Sequence, residues 1–119
     1  MIDSIDKFQF CPFCDKVIDG TALYFEEHKG VYHFEPIDPV VEGHRLFIPG
    51  VHVEKGGRNL HVHLASAMAA ATKYGESQED DYNLIISLGD DATQTIDHIH
   101  VHYVPRRPQD GLRLPWTSH

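Results

Sequence analysis

Positive charge is scarce in this sequence. Ten Lys and Arg stand against eighteen Asp and Glu, for a formal charge of −8 with the ten histidines neutral. A protein that grips nucleic acid through its phosphates needs a basic face, so this balance argues against that class of partner. Long apolar runs are missing too. No stretch approaches the ~20 residues that a membrane helix requires. The first residues, Met1-Ile2-Asp3-Ser4-Ile5-Asp6, are acidic and lack the apolar segment of an export signal. The expectation is no membrane partner and a cytoplasmic address. Only two cysteines occur, Cys11 and Cys14, and two so close together make a poor structural disulfide. Stability must then come from a core. A chain of 119 residues with 41% apolar content can build one as a single domain over residues 1–119. There is no internal repeat and no low-complexity block.

Histidine, by contrast, is abundant, and it is concentrated in Gln94-Thr95-Ile96-Asp97-His98-Ile99-His100-Val101-His102-Tyr103-Val104-Pro105. Three histidines alternate with apolar residues, which is the period of a β-strand. His98, His100 and His102 are expected on one face of that strand, with Ile99, Val101 and Tyr103 turned towards a core. Folding does not need a row of imidazoles. Imidazole is a metal ligand and a nucleophile, and it titrates near neutral pH. A plain metal site and an exposed strand with incidental histidines are the alternatives.

Cys11-Pro12-Phe13-Cys14 lies in a stretch, Asp6 to Ile18, that holds Phe8, Phe10 and Phe13. A CxxC is a redox pair or half a metal site. The redox reading wants a helix start preceded by a strand in a thioredoxin-like pattern, and no such strand precedes it. The metal reading wants two further ligands, which the spare histidines can supply, so zinc is favoured. Leu23 to His28 reads as a strand that turns at Lys29-Gly30 into Val31 to Phe34, with His28 and His33 flanking the turn in solvent. Pro36, Asp38 and Pro39 mark a loop, and Gly43 to Ile48 is the next strand, stopped by Pro49-Gly50. Leu60, Leu64, Ala67, Met68 and Ala71 form one helical stripe, with Gly75 as its stop. His61 and His63, two residues apart, point to different sides of that helix and read as surface or dimer-contact residues. An acidic linker leads to Tyr82 to Leu88, an almost continuous apolar run expected to be a strand covered on both faces. The tail over 108–119 is irregular, yet Leu112, Leu114 and Trp116 are apolar enough to pack on the body or across a dimer. The order is hairpin, strand, helix, strand, strand: an α+β domain with a mostly antiparallel sheet and one main helix.

The triad segment resembles the signature of the histidine triad (HIT) superfamily of nucleotide hydrolases and transferases, His-φ-His-φ-His-φ-φ with φ apolar, usually led by Gln-Thr or Gln-Ser. The resemblance takes in Gln94-Thr95, the segment Pro39-Val40-Val41-Glu42-Gly43-His44-Arg45-Leu46-Phe47-Ile48-Pro49, the following His52-Val53-Glu54, and Cys11-Pro12-Phe13-Cys14. It implies a five-stranded antiparallel sheet with a helix, a homodimer, and attack on the α-phosphorus of a small nucleotide substrate. By resemblance, His100 is the nucleophile, forming a covalent nucleotidyl-histidine that water hydrolyses to NMP. His102 would donate to phosphate oxygens and His44 would lie near the phosphate. Gln94 and Thr95 would bind phosphate oxygens, and Gln94 would also position the leaving group or the water. Zinc-containing members imply Cys11, Cys14, His52 and His98 as ligands of a structural zinc, a closed tetrahedral site. Phe13, Phe34 and Ile37 are candidates for a base pocket or for plain core.

Three positions depart from the family pattern. Ser87 stands where many members have an asparagine, and would remake a phosphate contact. Pro36 stands where many have the ribose-binding Asp or Asn, leaving Asp38 or Glu35 to substitute. Thr93 replaces a small glycine before Gln94 and would narrow the phosphate loop. The pieces look most like the dinucleoside polyphosphate hydrolase branch, and the nucleoside phosphoramidate branch shares the same machinery. A nucleotide-sensing module with little turnover and a zinc-binding structural protein are the readings from other classes. The intact His100 speaks against the last.

Overall fold

The computed structural model describes residues 11–117, so the acidic opening residues, Phe8 and Phe10 lie outside it. The first element is a short helix, α1 (Pro12–Asp19). Its local causes are visible in the residues. Cys11 is the N-cap, and its sulfur accepts the Cys14 N–H at 3.4 Å. Pro12 occupies the first turn, where its missing N–H costs nothing. Gly20 ends the helix in the left-handed conformation at φ 83°. The Cys-Pro-Phe-Cys motif is therefore the opening turn of a helix, which makes a second helix beside the one expected.

After it come β1 (Leu23–Tyr24), β2 (Val31–Phe34), β3 (Arg45–Pro49), the long helix α2 (Leu60–Glu76), β4 (Asp81–Ile86), a 3-10 turn (Asp90–Ala92) and β5 (Val101–Arg106). The sheet order is β1-β2-β3-β5-β4, and every pairing is antiparallel. This is the five-stranded α+β architecture that the pattern and the resemblance both imply. No helix among the described residues is long and apolar enough to cross a membrane.

The sheet has two covered faces, and strand alternation decides which residue goes where. Val31, Phe47, Val101 and Tyr103 face α2, whose Ala67, Ala70 and Ala71 are wholly buried against them. Small alanines let the helix sit close to the sheet. Phe34, Leu46 and Ile48 face the other way and pack with Phe13, Cys11 and Cys14 of the α1 region. β5 lies between β3 and β4, so the triad residues approach the middle of the sheet.

Several expectations are corrected. The triad does not lie wholly in a strand: β5 begins at Val101, so only His102 is in it, opposite Leu46. His98 and His100 belong to the irregular approach, because the turns of residues 93–98 leave the chain free to pair only from Val101 onward. Ile99, Val101 and Tyr103 are nonetheless buried as expected. The strand from Leu23 to His28 is only two residues long. β4 is an edge strand and is half-buried, with Ile85 on its outer face, because no strand among the described residues pairs beyond it. Ile37 is 88% exposed and is not part of the core. In the tail, Leu112 and Leu114 are half-buried, while Trp116 is 76% exposed and does not pack on the body. The tail is held instead by Arg106, whose guanidinium donates to Asp110, to Asn83 and to the Leu112 carbonyl.

His28 and His33 were expected in solvent, but both are half-buried. The His33 ring stacks on Phe47 with centroids 5.1 Å apart, and Phe25 and Tyr74 close around it. Its Nδ1 accepts the Arg45 Nε–H at 2.9 Å. Burial, with the Arg45 charge second, lowers its pKa from 6.5 to about 4. The folded state therefore refuses a proton that the unfolded state accepts. Stability from this site is complete above pH 6.5 and is lost as the pH falls towards 4. Thermal unfolding followed from pH 7 to pH 4 should show a smaller loss for His33→Phe than for wild type; equal losses would remove His33 from the account.

Gly75 lies inside α2 and is not its stop. A Cβ there would sit 2.5 Å from Cζ of Tyr82. Alanine is the better helix former by about 1 kcal/mol, but overpacking a tight site costs about 1–3 kcal/mol. Gly75→Ala should therefore lower the unfolding free energy on denaturant titration, by up to about 2 kcal/mol.

Candidate active site and metal centre

Two groups of side chains meet around residues 98–102. The first contains Cys11, Cys14, His52 and His98, whose ligand atoms all lie within 4.8 Å of one another. Cys11 Sγ is 3.5 Å from His98 Nδ1, and Cys14 Sγ is 3.3 Å from His52 Nδ1 and 3.5 Å from His98 Nδ1. Zinc bound at about 2.3 Å to sulfur and about 2.0–2.1 Å to nitrogen requires S···N edges of about 3.5 Å. The cluster has that size.

The hydrogen bonds fix the ring tautomers to match. His98 Nε2 is 2.8 Å from the Pro49 carbonyl. A carbonyl only accepts, so the proton is on Nε2 and the Nδ1 lone pair faces the sulfurs. His52 Nε2 is 2.7 Å from the Glu54 carboxylate, which again leaves Nδ1 as the inward donor atom. Burial pushes the Cys14 thiol up to about 12 and lowers His98 to about 4. Both are neutral at pH 7, so an incoming metal must displace the proton of Cys14. The donor set and the spacing fit a structural metal of the zinc type.

The second group is His44, His100 and His102. His100 is buried, and its Nδ1 lies 2.9 Å from the His98 carbonyl. Nδ1 must donate, so Nε2 carries the lone pair. The Phe13 ring stands edge-on to His100 at 5.2 Å and perpendicular to it. His44 lies at the entry to β3, and its Nδ1 accepts the Val40 N–H at 3.1 Å. Its proton is therefore on Nε2, which donates to His102 Nδ1 at 3.0 Å. His102 is left with its own proton on Nε2. Burial is the main cause that lowers all three rings: His100 and His44 fall below their ordinary value, and His102 falls to about 4. At neutral pH this group holds a nucleophilic nitrogen on His100 and an N–H donor on His102, with no fixed charge on either.

The other expected residues are placed as follows. Gln94 is occupied by its own loop. Its Oε1 accepts the Gly89 N–H at 2.8 Å, and its Nε2 donates to the carbonyls of Ile96 and Asp97. It braces the turn that delivers His98. Thr95 is exposed and lines a hollow of about 380 Å3 with Cys11, His52, Glu54, Asp97 and His98. Ser87 follows β4 and is half-buried, and Thr93 holds the left-handed backbone at φ 67° that a glycine would more readily adopt. Asp38 and Glu35 are both exposed in the loop after β2. The Glu35 charge acts on the His44 ring, raising its pKa against the larger effect of burial. Phe13 and Phe34 pack edge-on to each other in the core, at 5.2 Å. On α2, His61 is exposed and His63 half-buried, and neither belongs to either group.

Some participants carry no sequence signal. The carbonyls of Pro49 and His98 and the N–H of Val40 set three ring orientations, and a backbone group has no residue type to read. Glu54 could have been found: a carboxylate two residues beyond a metal-binding histidine is a natural partner for its second nitrogen.

Comparison with known proteins agrees with this geometry. Residues 15–109 match the HIT domain family. Adenosine 5'-monophosphoramidase of Saccharomyces cerevisiae is 36% identical over 91% of this chain and 70% of its own length. A HIT family protein from Bacillus anthracis superposes with a TM-score of 0.66 at 31% identity, covering 92% of this chain and 83% of that one. A zinc-bound histidine triad family protein from Mycobacterium smegmatis gives 0.65 at 30% identity, covering 88% and 81%. With the family match over residues 15–109, and His98, His100 and His102 gathered beside His44, the chain is an enzyme of the histidine triad (HIT) hydrolase family.

Proposed function

We propose that the protein hydrolyses a small nucleotide at its α-phosphorus, through a covalent nucleotidyl-histidine at His100. The observation that carries this reading is the 2.9 Å hydrogen bond from His100 Nδ1–H to the His98 carbonyl. It leaves the Nε2 lone pair as the reactive atom, and burial keeps the ring unprotonated at neutral pH. A P–N bond forms at Nε2 as the bond from phosphorus to the leaving group breaks. Water then attacks the same phosphorus, the P–N pair returns to the ring, and NMP departs. One water is consumed overall: its hydroxyl ends on phosphorus and its proton on the leaving group.

His102 supplies a neutral N–H donor to the phosphate oxygens, where negative charge gathers in both steps. The chain from Val40 through His44 keeps that donor on Nε2. Gln94 acts by bracing the 89–97 turn, and Thr95 and Ser87 are phosphate-binding candidates at its edges. Asp38 remains the candidate for the ribose, with Glu35 beside it. The leaving group is an amine in this reading, because a 36% identical relative is named as a monophosphoramidase. A nucleoside polyphosphate as leaving group would use the same machinery. Zinc at Cys11, Cys14, His52 and His98 has no part in either step. When bound it would tie α1 to the triad segment. A homodimer in the cytoplasm completes the reading.

Three outcomes test it. Wild type should turn over an adenosine phosphoramidate faster than a diadenosine polyphosphate, and His100→Ala should lose on the order of 10^4 or more in kcat. Mass spectrometry of a rapidly quenched reaction should find the nucleotidyl adduct on His100. Tight AMP binding without turnover of either compound would favour a sensor. Metal analysis should find about one zinc per chain, lost in the Cys11→Ser, Cys14→Ser double variant; equal content in both proteins would refute the zinc site.

A further inference from the structure

The four proposed metal ligands are anchored in different ways. Cys11 and Cys14 sit on the first turn of α1, one as N-cap and the other bound to it through its N–H. His98 is steered by a backbone carbonyl, that of Pro49. His52 lies in the irregular segment after β3, with no helix or strand to orient it. Its Nε2 meets a full carboxylate, Glu54, at 2.7 Å. The His52 side chain is only 8% exposed and the Glu54 side chain 26%, so the contact is partly shielded from water.

We propose that Glu54 is the positioning residue of the metal centre: it turns His52 so that Nδ1 faces the two thiols, and it strengthens that nitrogen as a donor. This rests on reading Cys11, Cys14, His52 and His98 as the metal ligands. An imidazole that donates its second N–H to a carboxylate becomes more basic at the metal-binding nitrogen, and the orientation is fixed before the metal arrives. Glu54 does so with a whole negative charge, where Pro49 offers His98 only a dipole. The segment is itself held in place, since the Val53 carbonyl accepts the Ile99 N–H at 2.8 Å. Glu54 thus acts from a backbone already tied to the triad approach.

The test uses the full chain and zinc itself. Competition with a chromogenic chelator gives the zinc affinity of wild type, Glu54→Gln and Glu54→Ala. Loss of such an outer partner weakens metal binding by about 10–100-fold. Glu54→Gln, which keeps an acceptor oxygen but not the charge, should fall near the lower figure, and Glu54→Ala near the higher. Nitrogen-15 NMR of the metal-free protein should find His52 protonated on Nε2 in wild type, with that preference lost in Glu54→Ala. A merely structural role for Glu54 would leave the tautomer in place. Equal affinities across all three proteins, with wild type binding zinc, would overturn the role of Glu54 alone. A wild type that fails to bind zinc would overturn the metal centre and this proposal together. Should Glu54→Ala fail to fold, the near-isosteric Glu54→Gln still decides the question.

Discussion

One residue, His98, holds the two halves of the site together. Its ring is completely buried, its Nε2–H is spent on the Pro49 carbonyl, and its Nδ1 turns towards both cysteines. Its backbone carbonyl meanwhile accepts the Nδ1–H of His100. The side chain belongs to the cysteine–histidine cluster and the main chain to the His100 ring. A shift of His98 would therefore be felt in the tautomer of His100. Leaving either of its buried polar groups without a partner would cost about 1–3 kcal/mol.

The neutrality of the histidine group follows from the same burial. The chain is acidic overall, yet burial is the main influence on the His100 and His102 rings and disfavours their charged forms. An imidazolium at His100 would be no nucleophile. The sheet and α1 remove these rings from water, which disfavours the charged form of each. Phe13 has a direct part in this. It is buried on α1, edge-on to both His98 and His100.

Much of this was readable from the residues. The alanine-rich stripe led to α2 and the turn at Lys29-Gly30 to the β1–β2 hairpin, while the alternation around His98 to Val104 found β5 but placed its start too early. The remainder lacked such a signal. Helix α1 is eight residues long, too short for a stripe to emerge, although Pro12 and Gly20 bracket it as start and stop. His33 carries no mark of burial in its own segment, since Phe47 and Tyr74, which cover it, come from distant parts of the chain. The open edge of β4 follows from strand order, which an apolar run does not specify. The amide of Gln94 closes hydrogen bonds within its own turn, a bracing role that its place before the triad does not announce.

The cysteine cluster also joins parts of the chain that are far apart in sequence. Cys11 and His98 are separated by 87 positions. A bound metal would close the greater part of the polypeptide into a ring. For a crosslink that spans about 90 residues, the loss of freedom in the unfolded chain amounts to about 4–5 kcal/mol in the chain-entropy treatment of crosslinks. That is comparable to the net stability of a small domain. An ion far smaller than any side chain would then govern how readily the protein comes apart.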